Sequence, residues 1–431
     1  MSDDTTNSIC TCRIKRKCPT CFEWIQLLVT FSVPVAIALY TFMQNNNEQS
    51  IAMANREKDL EIARYQRTQD LQLADDQQKA NILAVYESFL INHLNRYGMT
   101  LDKNHAGRYI ARLQTLTTVN QLDPVRRSFI IQSLFEAKLI VNEYNTTNPY
   151  DSGIISLKEA NLTEISLKNR EMSYLSLPYC DLTRAIFALA EVSCANFYKA
   201  ILTNADFNHA VILKHKWICF INPNYTIFVK AKLTGANFFK AEFIATDFSE
   251  AVCEYANFSR FQCVDCRFID TNMYQTDLSF SIISGNSTFK STNLTETVLV
   301  STAFRLVIFI NTKFIQNQAT NIKFHQCSFD STSFSNCILQ EALITESMFS
   351  KTSFIDVNLS KSTLDNVNFT NINMHHTDLS STKFDQCTFI NVNFNDSIIQ
   401  NASFINCTFH NSSITNEQRL QAASFDGSVF S

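Results

Sequence analysis

The chain has few of the residues that build tight turns: among its 431 residues are only 6 glycines and 6 prolines. Sandwiches and barrels with many hairpins need these residues at their turns, so their scarcity argues against an ordinary antiparallel β fold. Strong charge is also missing, because 36 basic and 40 acidic residues give a net charge of −4. The composition therefore indicates neither a basic nucleic-acid-binding field nor a strongly acidic body.

Phenylalanine is the residue in excess, with 36 copies, and the hydrophobic fraction of 45% is enough for a core. A chain of this length could fill two or three ordinary domains. Hydrophobicity, charge and periodicity divide it into five predicted parts. These are a basic tail with cysteines (1–21), a transmembrane helix (22–43), a helical stalk (44–80), a small α-helical module (81–148) and a region of short repeats (149–431).

The apolar segment at 22–43 predicts a membrane-spanning helix. As a helix it would be roughly 33 Å long, about the thickness of a hydrocarbon core. Trp24 and Tyr40 lie near its ends, where amphipathic rings favour the membrane interface. A signal peptide and a buried core helix are the alternatives. The segment is long for the apolar part of a signal peptide, and no clear small-residue cleavage site follows it.

The tail before this segment reads CTCRIKRKCPTC and carries Cys10, Cys12, Cys18 and Cys21. A CxC pair followed by a CxxC pair could hold Zn²⁺ with four thiolates. Cysteines beside basic residues and next to a membrane helix also suit S-palmitoylation. The sequence leaves lipidation, zinc binding and no modification open.

Helical composition continues beyond the apolar segment. Residues 44–80 contain no glycine or proline and are rich in Gln, Ala, Glu, Arg and Lys, which predicts a solvated helical stalk. An amphipathic pattern follows and indicates a helix that ends near Gly98. The apolar stripe of this helix consists of Ile82, Val85, Phe89 and His93.

Two further helices are predicted before the repeats. Ile110, Leu113 and Leu116 indicate the first of them. Asp123 before Pro124 is a helix start signal, and the pattern predicts a helix through Ile140. We expect the module of two or three helices to cover the open end of the repeats.

A five-residue period dominates the remainder of the chain. From Leu157 onward a large apolar residue recurs at every fifth position, and we call each such residue a centre. Neither a helix, with period 3.6, nor a strand, with period 2, produces this spacing. A small residue stands two positions before most centres, as Ala185 stands before Phe187. Each repeat is therefore predicted to have one large and one small inward side chain, with three outward.

The stretches CANFYKAILTNADFNHA and LTGANFFKAEFIATDFSEA match the A(D/N)LxX motif, and Ile155 to Ile414 resembles the pentapeptide-repeat family. The resemblance implies a mainly β fold, a right-handed quadrilateral β-helix with one pentapeptide per side and four per turn. Coils stacked about 4.8 Å apart would form a rod of about a dozen turns, near 60 Å long. The order of transmembrane helix, charged stalk and helical module resembles membrane-anchored members of this family.

Three breaks interrupt the period, and each spans a multiple of five residues plus one. They lie between Ile212 and Phe228, Ile283 and Phe289, and Ile414 and Phe425. One extra residue at each break predicts a bulge or loop, after which the inward side chains of the next coil again stack on those of the coil before. The insertion at 213–227 is interpreted either as a projecting recognition loop or as a segment that packs on its own coil. NEQRLQAAS predicts a short helix that covers the edge of the last coil.

The repeats offer no catalytic, cofactor-binding or metal-binding set, and we expect no enzyme activity. HExxH, GxGxxG and phosphate-loop motifs are absent from the sequence. The pair His375 and His376 flanks a period position and is expected on the surface. Six cysteines fall on the small inward position, where cysteine behaves as a small buried hydrophobe. They are Cys180, Cys266, Cys327, Cys337, Cys387 and Cys407.

The expected function is a rigid scaffold or protein-interaction surface on a single membrane span, for a protein partner that the sequence does not identify. The alternative, implied by the resemblance, is a DNA-mimicking inhibitor or protector of a type II topoisomerase such as DNA gyrase. Mimicry requires a strongly negative rod, yet from Asp151 onward 25 acidic residues face 20 basic ones. Mimicry and nucleic-acid binding are therefore disfavoured.

The side of the membrane that the repeats face is left open by conflicting signals. Basic residues before the apolar segment favour a cytoplasmic N-terminus and repeats outside. Glycosylation sequons such as the one at Asn161 agree, although an Asn/Ser/Thr-rich repeat generates them by accident. Many unpaired cysteines favour a reducing compartment instead.

Overall fold

The computed structural model describes residues 21–98, 106–140, 153–212 and 226–431. The chain divides into two compact units, Met1–Gln78 and Lys79–Ser431. The first unit, where described, consists of part of one helix, α1 (Cys21–Tyr97), whose residues from Val29 to Gln78 are all exposed. The second contains the other helices and the repeats.

Helix α1 runs through both the predicted membrane segment and the predicted stalk without a break. No helix in the described ranges is both long and apolar enough to cross a membrane. The prediction of a transmembrane helix at 22–43 is therefore not supported. The side chains of residues 21–25, 27 and 28 lie outside the described part.

Helices α2 (Ala106–Gln121) and α3 (Pro124–Glu136) complete the helical module. Asp123 caps α3 as predicted, since its side chain accepts hydrogen bonds from the backbone N–H groups of Val125 and Arg126. The helix ends at Glu136, earlier than the predicted Ile140. It ends there because Lys138 turns into the left-handed region at φ 56° and Leu139 N bonds back to Leu134 O.

The buried face of the module matches the predicted one only in part. His93 is buried, and Ile82, Phe89 and Leu116 pack against the core as predicted. Val85, Ile110 and Leu113 are exposed, whereas Tyr86 and Ala111 are buried. Tyr86 fits against small residues of α2, and its hydroxyl lies 2.9 Å from that of Thr115. Burial raises the pKa of Tyr86 to about 12, so this hydroxyl stays neutral at physiological pH. The prediction from apolar residues did not include this contact, because small and hydroxyl-bearing residues of α2 form it.

The module covers the first edge of the repeats, as the sequence predicts. The N–H groups of Ile154 and Ile155 both bond to Leu139 O, and Ile140 pairs in parallel with Ile155. Arg112 and Arg127 donate to carbonyls of the first coil, those of Lys158 and Thr163. An edge of unpaired backbone groups invites association with another chain, and these contacts satisfy part of it.

The repeats form a parallel β-helix in which each coil takes 20 residues. Ile308 pairs with Ser328 and Lys313 with Ser333, for example, always in parallel. Each coil has four faces, and we number them by the centres of one coil. The first to fourth faces carry Phe309, Phe314, Ala319 and Phe324 respectively, with equivalent residues in the other coils.

Strands occupy three of the faces. The first face holds β1 (Thr226–Ile227), β3 (Thr246–Asp247), β5 (Arg267–Ile269), β7 (Thr288–Lys290), β10 (Ile308–Ile310), β13 (Ser328–Asp330), β16 (Met348–Ser350), the first halves of β19 (Asn368–His375) and β21 (Thr388–Asn393), β23 (Thr408–His410) and β24 (Val429–Phe430). The second face holds β8 (Asn293–Thr295), β11 (Lys313–Ile315), β14 (Ser333–Ser335), β17 (Ser353–Ile355) and the second halves of β19 and β21.

The fourth face holds β2 (Glu242–Ile244), β4 (Gln262–Val264), β6 (Ile282–Ser284), β9 (Ala303–Arg305), β12 (Lys323–His325), β15 (Leu343–Thr345), β18 (Thr363–Asp365), β20 (Lys383–Asp385) and β22 (Ser403–Ile405). The third face pairs through single bridges, such as Val298 to Gln318. Coils before residue 213 pair in the same way.

Stacked phenylalanine rings fill the interior along the first face. Twelve consecutive coils contribute one ring each, and neighbouring centroids are 4.3 to 5.2 Å apart. The rings belong to Phe197, Phe228, Phe248, Phe268, Phe289, Phe309, Phe329, Phe349, Phe369, Phe389, Phe409 and Phe430. All are fully buried except the last, which is 37% exposed. The five-residue period therefore marks the core, as predicted.

The small inward position is a hydrogen-bonding position as well as a space-filling one. Thr271 donates to the carbonyl of Phe248 on the preceding coil, at 2.9 Å. Thr312 donates in the same way to Phe289 O, at 3.0 Å. Buried hydroxyls are costly without partners, and this bond to the neighbouring coil satisfies them.

Each repeat turns its corner with one residue in the left-handed region, two positions after the centre. In the coil of Phe309, for instance, Asn311 has φ 49° and Gln316 has φ 56°. None of the non-glycine residues with positive φ in the described ranges is Val, Ile or Thr. β-Branched residues are strained in this conformation, so the corner excludes them. This selection was not predicted.

The second and third breaks differ in structure. At Ile283–Phe289 one extra residue forms a bulge, where Gly285 has φ 69° and a Cβ would lie 2.4 Å from Asp265 Oδ1. Residues 213–225 of the first break lie outside the described residues, and strand pairing resumes at Thr226.

The third break contains the predicted short helix, α4 (Asn416–Gln421), with Thr415 as its cap. Gln418 is buried and donates to Phe394 O and Ser397 O. The prediction that α4 covers the edge of the last coil is confirmed in part, because these bonds, with that of Asn401 N to Gln421 O, satisfy backbone groups at the edge. The chain then returns to form β24 on β23. Val429 of that last strand remains 58% exposed.

Replacing Phe329 with Ala should lower the free energy of unfolding by about 3–5 kcal/mol, because a buried ring between two others leaves a cavity. Chemical denaturation of the full chain, followed by circular dichroism, measures this. Phe280→Ala is the control: this ring is 55% exposed, and its loss should cost under about 0.5 kcal/mol. Equal effects of the two changes would contradict the stacked core.

Leu306 tests the corner rule, since it lies in the left-handed region at φ 58° and is 45% exposed. Leu306→Val should lower the free energy of unfolding by about 1 kcal/mol through backbone strain. Leu306→Asn should leave it unchanged or raise it, because asparagine tolerates this conformation. If the Val variant were as stable as the Asn variant in the same denaturation experiment, corner strain would not select these residues.

Candidate binding surface

A groove on the repeats combines positive charge with exposed apolar side chains. Its volume is about 420 Å³. The residues that line it are His209, Lys240, Glu242, Arg260, Gln262, Phe280 and Ile282. We call these seven residues the binding groove.

The corner geometry builds one wall of the binding groove. His209, Lys240, Arg260 and Phe280 each stand two positions after a third-face centre, and their φ angles lie between 54° and 59°. Equivalent corners of successive coils lie about 5 Å apart. These four side chains, far apart in sequence, therefore form one column, with one residue from each of four coils.

The other wall comes from the first residues of fourth-face strands. Glu242 begins β2, Gln262 begins β4 and Ile282 begins β6, so they stack in register. All three are exposed, and Ile282 is 49% accessible. A carboxylate, an amide and an apolar side chain thus follow one another along this wall.

Cation–ring contacts arrange the basic side chains. The Arg260 guanidinium lies 5.7 Å from the centre of the Phe280 ring. Lys240 Nζ lies 5.2 Å from the ring centre of Phe239, which the His209 ring approaches edge-on at 6.0 Å. Such contacts stabilise a cation by about 0.5–1 kcal/mol at exposed sites. The binding groove therefore suits a partner that offers a carboxylate beside an apolar side chain.

A second cation–aromatic cluster lies on another corner. Tyr179 and Tyr198 meet edge to face at 5.5 Å. Lys158 and Lys199 lie 4.9 and 5.3 Å from the Tyr179 ring centre. Tyrosine is enriched in protein interfaces but lysine is depleted there, so this cluster suits a recognition role less well than the binding groove does.

The inward cysteines have a structural role. Cys180, Cys327, Cys337, Cys387 and Cys407 are buried, as predicted. Burial raises the pKa of Cys327 to about 12 and that of Cys337 to about 11. These two thiols stay protonated at neutral pH and are poor nucleophiles.

Cys266 departs from the prediction of a free buried thiol. It forms a disulfide with Cys263, which is a fourth-face centre. The CxxC spacing of these two residues is a signal that could have indicated the pair. The repeat pattern obscured it, because it places one cysteine at a large position and the other at a small one. The turn between two faces brings their Cα atoms to 6.1 Å, within bonding reach.

Other predicted features receive no structural test. Cys10, Cys12 and Cys18 lie outside the described residues, and Cys21 begins α1 with its side chain undescribed. The choice between zinc and lipidation there stays open. The part of the insertion at 213–225 likewise lies outside the described ranges. Of the two histidines, His375 is half-buried and His376 is exposed, and both lie on the surface, as expected.

Comparison with known families finds eight copies of the family described as pentapeptide repeats. They match at residues 179–212, 246–285 and 352–389. No curated protein matches the chain.

Solved structures resemble parts of the chain at low similarity. QnrB1, described as a plasmid-mediated fluoroquinolone resistance protein, is 16% identical in one trypsin-treated form and covers 42% of this chain and 90% of its own, with a TM-score of 0.26. HetL from the cyanobacterium Nostoc sp. strain PCC 7120, described as involved in heterocyst differentiation regulation, is 15% identical and covers 57% and 90%, with a TM-score of 0.17.

A pentapeptide repeat protein from the Arabidopsis thaliana thylakoid lumen is 20% identical and covers 31% and 67%, with a TM-score of 0.15. TM-scores this low carry no inference about function. The matched repeats, together with the 20-residue coil and its inward centres, support the pentapeptide-repeat family for the repeat-bearing part of this chain.

Proposed function

We propose that the protein is a non-catalytic scaffold that binds a protein partner through the binding groove. The observation that carries this proposal is the coincidence of exposed Phe280 and Ile282 with Arg260 and Lys240 in one concave site. Aromatic and arginine side chains dominate the binding energy of protein interfaces. Most other outward side chains of the repeats are small and polar, so this site stands out from the surface around it.

Rigidity favours the scaffold role. The binding groove rests on strands that pair in register with both neighbouring coils, above a core of stacked rings. A partner therefore meets side chains whose backbone positions are already fixed, which reduces the entropy lost on binding.

Electrostatics separate this role from DNA mimicry. The charges of the binding groove are Lys240, Arg260 and Glu242, with His209 beside them, so the site favours an anionic partner segment. A DNA mimic needs the reverse, a surface that attracts basic DNA-binding proteins. The excess of acidic over basic residues from Asp151 onward is only 25 against 20. Topoisomerase inhibition or protection remains the alternative function.

A photo-crosslinking amino acid at Gln262, within the binding groove, should capture a discrete protein partner in cells that make the full chain. The same group at Lys323, which begins a fourth-face strand three coils away, is the matched control and should capture no such partner. Arg260→Glu should reduce capture at Gln262 at least about tenfold, because a guanidinium hot spot is lost and a repulsive charge added.

Equal crosslinking at Gln262 and Lys323, or capture that survives Arg260→Glu, would reject the binding groove as the interaction site. Identification of the captured protein by mass spectrometry decides between the two functions. A type II topoisomerase would favour the alternative, and inhibition of its supercoiling activity by the purified chain would establish it.

We also propose that the N-terminal helix associates with a membrane, as the sequence predicts. The observation that favours it is the run of exposed apolar side chains in the first unit, among them Phe31, Ile37 and Phe42 at 60–70% exposure. Large exposed apolar patches mark membrane or protein interaction sites. The prediction of a single span and the side on which the repeats lie stay proposals.

The chain should therefore sediment with membranes and resist extraction by alkaline carbonate. Replacing Val35 and Ile37 with Glu should release it, because charge inside a hydrocarbon core is costly. Ile62→Glu with Leu71→Glu is the matched control on the same helix and should not release it. Release of the unaltered chain by carbonate would exclude an integral anchor.

A further inference from the structure

Two histidines and two aspartates meet on a corner far from the binding groove. His375 Nδ1 lies 3.4 Å from Asp396 Oδ2, and His376 Nδ1 lies 3.3 Å from Asp356 Oδ1. The imidazole rings stack with their centres 3.9 Å apart. We call these four residues the histidine corner.

The fold, and not the sequence spacing, brings the histidine corner together. Asp356, His376 and Asp396 each stand two positions after a second-face centre, with φ angles of 53°, 48° and 62°. They occupy the same corner of three successive coils, about 5 Å apart. His375 precedes His376 at the end of β19, where it pairs with Ile355 of the coil before. Four residues spread over 41 positions thus share one surface site.

The donor set is that of a transition-metal site. One ligand atom each from His375, His376 and Asp396 lie within 4.8 Å of one another. Tetrahedral zinc with bonds of about 2.0–2.2 Å needs ligand atoms about 3.4 Å apart. The distance of 3.4 Å between His375 Nδ1 and Asp396 Oδ2 already equals this separation. The side chain of His376, 58% exposed, can rotate to close the remaining gap.

We propose that the histidine corner binds a divalent transition-metal ion, with Zn²⁺ as the best fit, through His375, His376 and Asp396. Imidazole and carboxylate ligands suit Zn²⁺, whereas Mg²⁺ and Ca²⁺ prefer all-oxygen sites. Asp356 is a positioning residue: by accepting from Nδ1 of His376 it orients the ring so that Nε2 serves as the ligand. Three protein ligands leave a fourth position open to water or to a side chain of a partner.

The simpler reading is two independent surface ion pairs, His375 with Asp396 and His376 with Asp356. Exposed pairs of this kind contribute little to stability. The two readings differ in what removal of one residue does. In the ion-pair reading, the corner binds no zinc, and loss of His376 leaves the contact of His375 with Asp396 intact. In the metal reading, each of the three ligands is needed.

The test is a calorimetric titration of Zn²⁺ into the full-length chain carrying serine at positions 10, 12, 18 and 21. This background removes any zinc held by the N-terminal cysteines. We expect one equivalent of bound Zn²⁺, lost in His375→Ala, His376→Ala and Asp396→Asn. Asp356→Asn should keep the stoichiometry and weaken the affinity about tenfold or more, as for an orienting group.

His325→Ala is the matched control. His325 lies at the end of β12, where its Nδ1 contacts the Thr345 hydroxyl, and its loss should leave zinc binding unchanged. Zn²⁺ should also raise the midpoint of thermal unfolding in the background chain and in His325→Ala, but not in Asp396→Asn. Asn is isosteric with Asp, so circular dichroism of this variant should match that of the background chain. No bound zinc in the background chain, or binding that survives Asp396→Asn and His376→Ala, would overturn the proposal.

Discussion

The distance between stacked coils is the constraint on which the rest of the repeat structure depends. Parallel strands in a ladder lie about 4.8 Å apart, and parallel aromatic rings in an offset stack have their centres at nearly the same separation. One phenylalanine per coil can therefore stack without strain, as Phe309 on Phe329 does at 4.7 Å with planes 4° apart. The backbone ladder and the ring column reinforce each other. This agreement explains why phenylalanine is so frequent in the chain.

The same constraint organises the surface. Each repeat turns its corner through a left-handed residue whose side chain points outward. At a given corner of the β-helix, each coil contributes one such side chain. Side chains twenty residues apart thus become neighbours in a column. The binding groove arises this way from Lys240, Arg260 and Phe280, and the histidine corner from Asp356, His376 and Asp396. Binding surfaces on the repeats are therefore formed by such columns. A substitution in one coil alters one residue of the surface and leaves the core unchanged.

Much of the fold was predictable from the sequence because its core obeys one short period. A large residue at every fifth position and a small one two places earlier mark the inward side chains of each coil, and Phe389 and Cys387 are examples. The helix starts at Asp123 and Thr415 were open to prediction as well, because capping is a local interaction. The contact of Tyr86 with Thr115 was not, since it depends on a segment packed from elsewhere. The end of α3 is local, but Lys138 takes the left-handed position where a glycine would have signalled it.

The sequence by itself determined the period and the inward residues, because these follow from burial within one repeat. The exclusion of β-branched residues from the corners also has a local cause, but only the φ angles of the structure showed which positions are corners. Only the tertiary structure decided which outward residues meet. The stacking of coils joins positions 20 residues apart, or 31 across the first insertion, as Asn237 meets Asp206. The five-residue period alone does not state how many repeats make one turn, so it does not reveal that Arg260 reaches Phe280, or that Asp396 reaches His375. Sites on this surface come from contacts between coils, and those contacts exist only once the coils are stacked.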